Sequence, residues 1–199
     1  MAYKIAFFGA KPYDIASFDK VNEKYNYDIR YYKGHLNPNN VVLTQDTDAV
    51  CIFVNDTADA AVIDAMVDNG VKLLALRCAG FNNVDLKAAK GKYIARMDGD
   101  DICLPERFAA EYETLETEKT ISIVSTDMGY FDQTGIWGKI SHPEYPKKKD
   151  FLYGSPFCHA PCMVRKEAYD AVAGYTEKKS ILRVEDCLLY TSDAADDLI

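Results

Sequence analysis

The chain has 199 residues, of which 48% are hydrophobic and 27% charged, and it carries a formal net charge of −8. That length suits one generous domain or two small ones with a real core, and the acidic balance argues against a general nucleic-acid binder, which needs a basic surface. No stretch approaches the roughly 20 apolar residues that span a bilayer. The first residues do not form a signal peptide, so a soluble, cytoplasmic protein without a transmembrane segment is expected.

In chain order, the apolar run KIAFF at residues 4–8 reads as a strand, with Gly9 and Pro12 as turn signals. Residues 13–24 carry Ile15, Phe18 and Val21 near helical spacing, and residues 27–32 alternate as a strand does. AVCIFV at 49–54 is wholly apolar, as in the middle of a parallel sheet. A helix over 58–68 is expected to stop at Asn69-Gly70, a left-handed stop signal. A strand at 71–76 and a short helix at 84–90 follow. Alternation of strand and helix implies a parallel α/β sheet. Gly9 sits where a nucleotide-binding turn would begin, but GAKPYD lacks the other glycines of G-x-G-x-x-G, and Gly9 reads as a turn residue.

The stretch YIARMDGDDICLP, residues 93–105, organises the second half. An apolar strand that ends in acids at i and i+2 aims both carboxylates, Asp98 and Asp100, past the strand end. Carboxylates without neighbouring His or Cys suit a hard cation, Mg²⁺ or Mn²⁺, that completes its shell with water and phosphate oxygens. The same acids, Asp101 among them, can instead form a loop that caps the next helix. A helix is expected over 104–116 with Pro105 at its start. There follow a strand at 121–125, an aromatic, glycine-punctuated segment at 130–140, a loop at 141–150, an apolar segment at 157–164 and a helix at 166–172. Glu185-Asp186, read alone, are acids at a helix N-terminus. Trp137 can stack on a sugar ring or pack within a core or loop, and His159 can contact a ligand or sit hydrogen-bonded in a core strand. The six Cys, at 51, 78, 103, 158, 162 and 187, include no C-x-x-C pair and read as buried free thiols rather than a zinc site.

Two resemblances overlie these patterns. Residues 4–92, above all AVCIFVNDTADAAVIDAMVDNGVKLLALRCAGFNNVDLKAA, resemble the N-terminal part of a D-lactate dehydrogenase of the D-2-hydroxyacid dehydrogenase family. The resemblance implies a flavodoxin-like parallel sheet, NAD as cofactor and a 2-hydroxy or 2-keto acid as substrate. It also implies that the backbone N–H groups of Ala79 and Gly80 hold the substrate carboxylate. A glycine-containing turn after a strand can expose successive donors to an anion. Taken by itself, the same turn can be no more than a polar connection capped by Asn83 or Asp85. The family's catalytic Arg, Glu and His and its dinucleotide-binding domain have no counterpart later in the sequence, so this half is not expected to work as a dehydrogenase.

YIARMDGDDICLPERF, FCHAPCMVRKEAYDAVAGYTE and RVED resemble the D-x-D to E-D half of a family-2 glycosyltransferase. That implies a partial GT-A-type α/β fragment, a nucleotide-sugar donor, and metal held by Asp98 and Asp100 with Asp101 in support. Asp186 would take the acceptor proton, with Glu185 beside it. AAKGK at 88–92 fits both families, a place where two sequences can be joined. Residues 187–199 resemble translated sequencing adapter. The expectation is a metagenomic chimera, inactive as it stands: a dehydrogenase substrate-domain fragment at 1–92, a glycosyltransferase fragment at 93–186 and a non-native tail. The alternatives are a residual metal- and nucleotide-sugar-binding glycosyltransferase and a non-catalytic α/β module that binds a small carboxylate. One α/β sheet is expected to run across the join, with residues 93–97 as its next parallel strand.

Overall fold

A computed structural model describes residues 2–78, 81–98 and 101–172. The chain divides into two compact units, Met1–Gly91 and Lys92–Ile199.

In the first unit, four short strands form one parallel sheet in the order β2-β1-β3-β4: β1 Lys4–Phe7, β2 Asp28–Tyr31, β3 Ala49–Ile52 and β4 Leu73–Leu76. This is the order in which flavodoxin-like doubly wound sheets begin, and such sheets bind ligands beyond the carboxyl ends of their strands. The apolar runs form strands because a parallel sheet is covered on both faces. One face packs Ala6, Phe8, Val50 and Ile52 against Val62, Ile63 and Met66 of helix α2, Ala60–Asp68. The other carries Phe7, Ala10 and Cys51, with Ile15 of helix α1, Pro12–Asn22, beside them.

Both helices have local reasons for their ends. Pro12 opens α1 and the Asp14 carboxylate accepts the Lys11 N–H at 2.9 Å. Asp59 caps α2 by accepting from Val62 N at 3.0 Å. Gly70, at φ +86°, ends the turn after α2 in the left-handed region that Gly adopts without a Cβ clash.

Residues 84–90 do not form the expected helix. Val84 makes a parallel bridge with Ala58, and the Asp85 N–H donates to the Ala58 carbonyl at 2.9 Å. The Asp85 carboxylate then accepts from Lys87 N and Ala88 N. Backbone committed to the bridge cannot start a helix there, and the acid closes a single turn.

The second unit has its own sheet, in the order β5-β9-β6: β5 Tyr93–Ala95, β6 Ile123–Val124 and β9 Met163–Arg165. Both outer strands run antiparallel to β9. This corrects the expectation of one sheet across the join. Tyr93–Ala95 pairs with a segment about 70 residues later, through ladder bonds and through Arg165, whose Nη1 lies 3.4 Å from the Tyr93 hydroxyl. Helices α3, Arg107–Thr117, and α4, Lys166–Ala171, flank the sheet elements. A separate hairpin, β7 Met128–Asp132 and β8 Gly135–Ile140, accounts for the aromatic segment. No helix of the described residues is long and apolar enough to cross a membrane.

Candidate functional sites

At the carboxyl end of the parallel sheet the chain gathers Gly9, His35, Asp56 and Arg77. Arg77 follows β4 directly. Its Nη2 donates to the Phe8 carbonyl at 2.7 Å, and Nη1 lies 3.6 Å from Asp14 Oδ2. The guanidinium lies over the rings of Phe7 and Phe53, 4.5 and 4.9 Å from their centroids, contacts that suit a weakly hydrated planar cation. Its Nε is buried without a hydrogen-bond partner among the described residues.

Asp56, wholly buried, accepts from Leu36 N at 2.6 Å and Phe53 N at 2.5 Å, and its Oδ1 lies 3.5 Å from His35 Nδ1. Asn83 Nδ2 donates to the Phe53 and Asp56 carbonyls at 2.9 and 3.0 Å. These bonds fix the loops around the strand ends. Burial pushes the neighbouring Cys51 thiol up to about 11, against the opposing pull of Arg77, so it stays protonated and unreactive at neutral pH.

Gly9 has φ +63°, and a Cβ there would meet His35 Nδ1 at 3.1 Å and Arg77 Nη2 at 3.4 Å. The space over this turn is filled by the unit's own side chains. The first unit therefore does not offer a dinucleotide the open glycine turn it needs. Ala79 and Gly80, the expected carboxylate donors, lie outside the described residues.

In the second unit the acid stretch follows β5. Asp98 is half-exposed, with Oδ1 3.6 Å from Arg96 Nη2, and its carbonyl accepts the Asp101 N–H at 3.2 Å. A backbone hydrogen bond thus ties Asp101 to Asp98. Asp100 lies outside the described residues, as do Glu185 and Asp186. Among the described residues, three or more metal-ligating side chains do not converge. The donors are carboxylate oxygens, the chemistry that Mg²⁺ and Mn²⁺ take.

Arg107 holds the backbone that leads into this acid stretch. Its Nε donates to Glu111 Oε1 at 2.9 Å and its Nη2 to the Arg96 carbonyl. Glu111 is buried, and burial raises its carboxyl above the usual range despite Arg107. Arg165, also buried, donates Nε to the Ile121 carbonyl at 2.7 Å and Nη2 to the Leu115 carbonyl, so it caps the carboxyl end of α3. The sequence patterns do not mark Arg77, Arg107 or Arg165 as functional. The signal they do carry is a cation directly flanking an apolar strand or a helix start. Trp137 lies on the exposed hairpin, stacked on Tyr130 with centroids 5.1 Å apart, and His159 is partly buried.

Comparison with known proteins divides along the chain. Residues 5–102 match the family described as D-isomer specific 2-hydroxyacid dehydrogenase, catalytic domain, and residues 77–172 match glycosyl transferase family 2. The 2-hydroxyacid dehydrogenase homolog 1 of Schizosaccharomyces pombe is 54% identical over 86 residues, 43% of this chain and 26% of that protein. The putative glycosyltransferase EpsE of Bacillus subtilis is 37% identical over 114 residues, 57% of this chain and 41% of that protein. The apo-structure of D-lactate dehydrogenase from Escherichia coli aligns with a TM-score of 0.46 and 36% identity, over 57% of this chain and 36% of that one. The chain therefore spans about a quarter to two fifths of the length of these curated relatives. It has a two-part architecture, a 2-hydroxyacid dehydrogenase-like N-terminal part and a part similar to family-2 glycosyltransferases.

Proposed function

We propose that the chain is a composite of two enzyme fragments that binds ligands of the two families without turning either over. Its parts are a dehydrogenase substrate-domain fragment at 1–92, a glycosyltransferase fragment at 93–186 and a non-native tail at 187–199. The observation that carries this reading is the change of sheet at Gly91 and Lys92, inside the 77–102 overlap of the two family matches. Hydride transfer needs a cofactor held against the substrate and an acid/base partner. The turn at Gly9, with His35 and Arg77 close over it, is not an open phosphate-binding glycine turn.

In the first unit the residual activity is capture of a small carboxylate by the backbone of Ala79 and Gly80. In the second, Asp98 and Asp100 would hold Mg²⁺ or Mn²⁺ against a nucleotide-sugar diphosphate, with Asp101 in support. A bound cation would neutralise the leaving diphosphate. Asp186, with Glu185 beside it, would accept the acceptor's proton. The test uses the purified full chain. Calorimetry with Mn²⁺ and UDP-glucose should give binding that Asp100→Asn removes, while assays of NADH oxidation with pyruvate and of sugar transfer stay at background. Steady turnover in either assay overturns the composite reading, and absence of Mn²⁺-dependent binding removes its glycosyltransferase part.

A further inference from the structure

The second unit contains a cavity of about 740 Å³ that no part of the proposed chemistry uses. Consecutive residues 120–127 all line it. β6, Ile123–Val124, is the strand within that run, and among the described residues it stands at one end of the β5-β9-β6 sheet. The Arg165 N–H donates to the Ser122 carbonyl at 2.9 Å, and Ile123 lies opposite Val164. In an antiparallel ladder bonded and non-bonded pairs alternate. The N–H and C=O of Ile123 therefore point away from β9, toward the cavity.

The walls add selectivity. Pro143, Tyr145, Phe151 and Phe157 give apolar surface along the edge. Glu118, Asp127 and Glu144 line the cavity, and no Lys or Arg does among the described residues. Asp127 is matched by Lys139 at 3.0 Å, which leaves Glu118 and Glu144 as the acids of the lining without an ion pair among the described residues, and both are exposed.

We infer that this groove docks an extended cationic peptide segment, which joins the sheet beside β6 as a further strand. The outward N–H and C=O of Ile123 offer another backbone one donor and one acceptor, as in strand addition at a sheet edge. The apolar wall takes every second side chain, and the two glutamates favour Lys or Arg on the rest.

The probe is a fluorescein-labelled peptide of alternating lysine and valine, titrated with the full chain by fluorescence anisotropy. Saturable binding is expected, lost when alternate backbone nitrogens are methylated and weakened at least about tenfold when glutamate replaces lysine. The exposed double variant Glu118→Gln/Glu144→Gln should weaken the lysine peptide by about fivefold, the size of two exposed ion pairs. No saturable binding, equal binding of the N-methylated peptide, or equal binding of the acidic peptide would each overturn the inference. So would sedimentation revealing a dimer that the peptide does not dissociate, because a second copy would then occupy the edge.

Discussion

In the first unit Ala6, Phe8, Val50, Ile52, Val62 and Met66 close into one apolar cluster between a parallel sheet and α2. The first unit's buried polar residues, Asp14, Thr44, Thr47 and Asp56, lie outside that cluster, whereas the second unit buries Glu111 and Arg165 along with Leu115, Met163 and Tyr169 and has no comparable apolar cluster among its described residues. Strand length is the physical origin of the difference. Four strands of four residues side by side expose a continuous apolar face that a helix can cover. Strands of two and three residues cannot, and the second unit closes its gaps with cations on carbonyls. Apolar burial is non-directional and shares a loss among neighbours. A buried polar link is directional, and removing one partner leaves the other unsatisfied.

Truncating one anchor in each unit tests this contrast. Phe8→Ala should cost the first unit about 4 kcal/mol by opening a cavity in the cluster, read as a lower urea midpoint with faster hydrogen exchange in residues 2–78. Residues 101–172 should keep their exchange rates; faster exchange there would break the picture of two separate cores. Arg165→Ala should cost the second unit about 3 kcal/mol, since it strands the Leu115 and Ile121 carbonyls. Arg165→Lys should recover little of it, because a single ammonium cannot reproduce the planar fork. Full recovery by Lys would mean that the charge, rather than its geometry, does the holding.

Local patterns carry the first unit further than the second. Apolar runs mark β1, β3 and β4, alternation marks β2, and Asn69-Gly70 marks the stop of α2. The pattern misleads at 84–90, where apolar residues at helical spacing are held by a bridge to Ala58 that no local signal announces. It misleads again at Tyr93–Ala95, whose partner lies at Met163–Arg165; pairing over that separation leaves no trace in either segment. For the candidate sites, Asp98 and Asp101 are legible as neighbours in one acid stretch. The bond from Arg107 to the Arg96 carbonyl depends on how α3 sits against β5, which spacing does not encode.

Smaller effects sharpen the comparison at the level of caps and surface pairs. Asp59→Ala should cost the first unit about 1 kcal/mol through loss of the cap on Val62 N, seen as a modest fall in its urea midpoint alone. The smallest effect concerns acid. Lys92, the Tyr93 hydroxyl and Lys119 surround Glu116 and hold its carboxyl down to about 2 from an ordinary 4.5. A depressed acid contributes stability above its unfolded value, and that contribution is lost as pH falls through its folded value. In the first unit the acids held low are Asp46 and Asp48, chiefly by the side chain and backbone N–H of Lys4. The second unit should therefore weaken as acid is added from about pH 4.5 toward 2, and the first as pH falls below the ordinary Asp value of 3.8. Glu116→Gln, which removes the titrating group, should flatten part of that slope in the second unit and leave the slope of the first untouched. Thermal melts followed by hydrogen exchange at pH 5, 4 and 3 read the two slopes separately. An unchanged slope in residues 101–172 would show that Lys92 and Lys119 do not grip this carboxylate in solution.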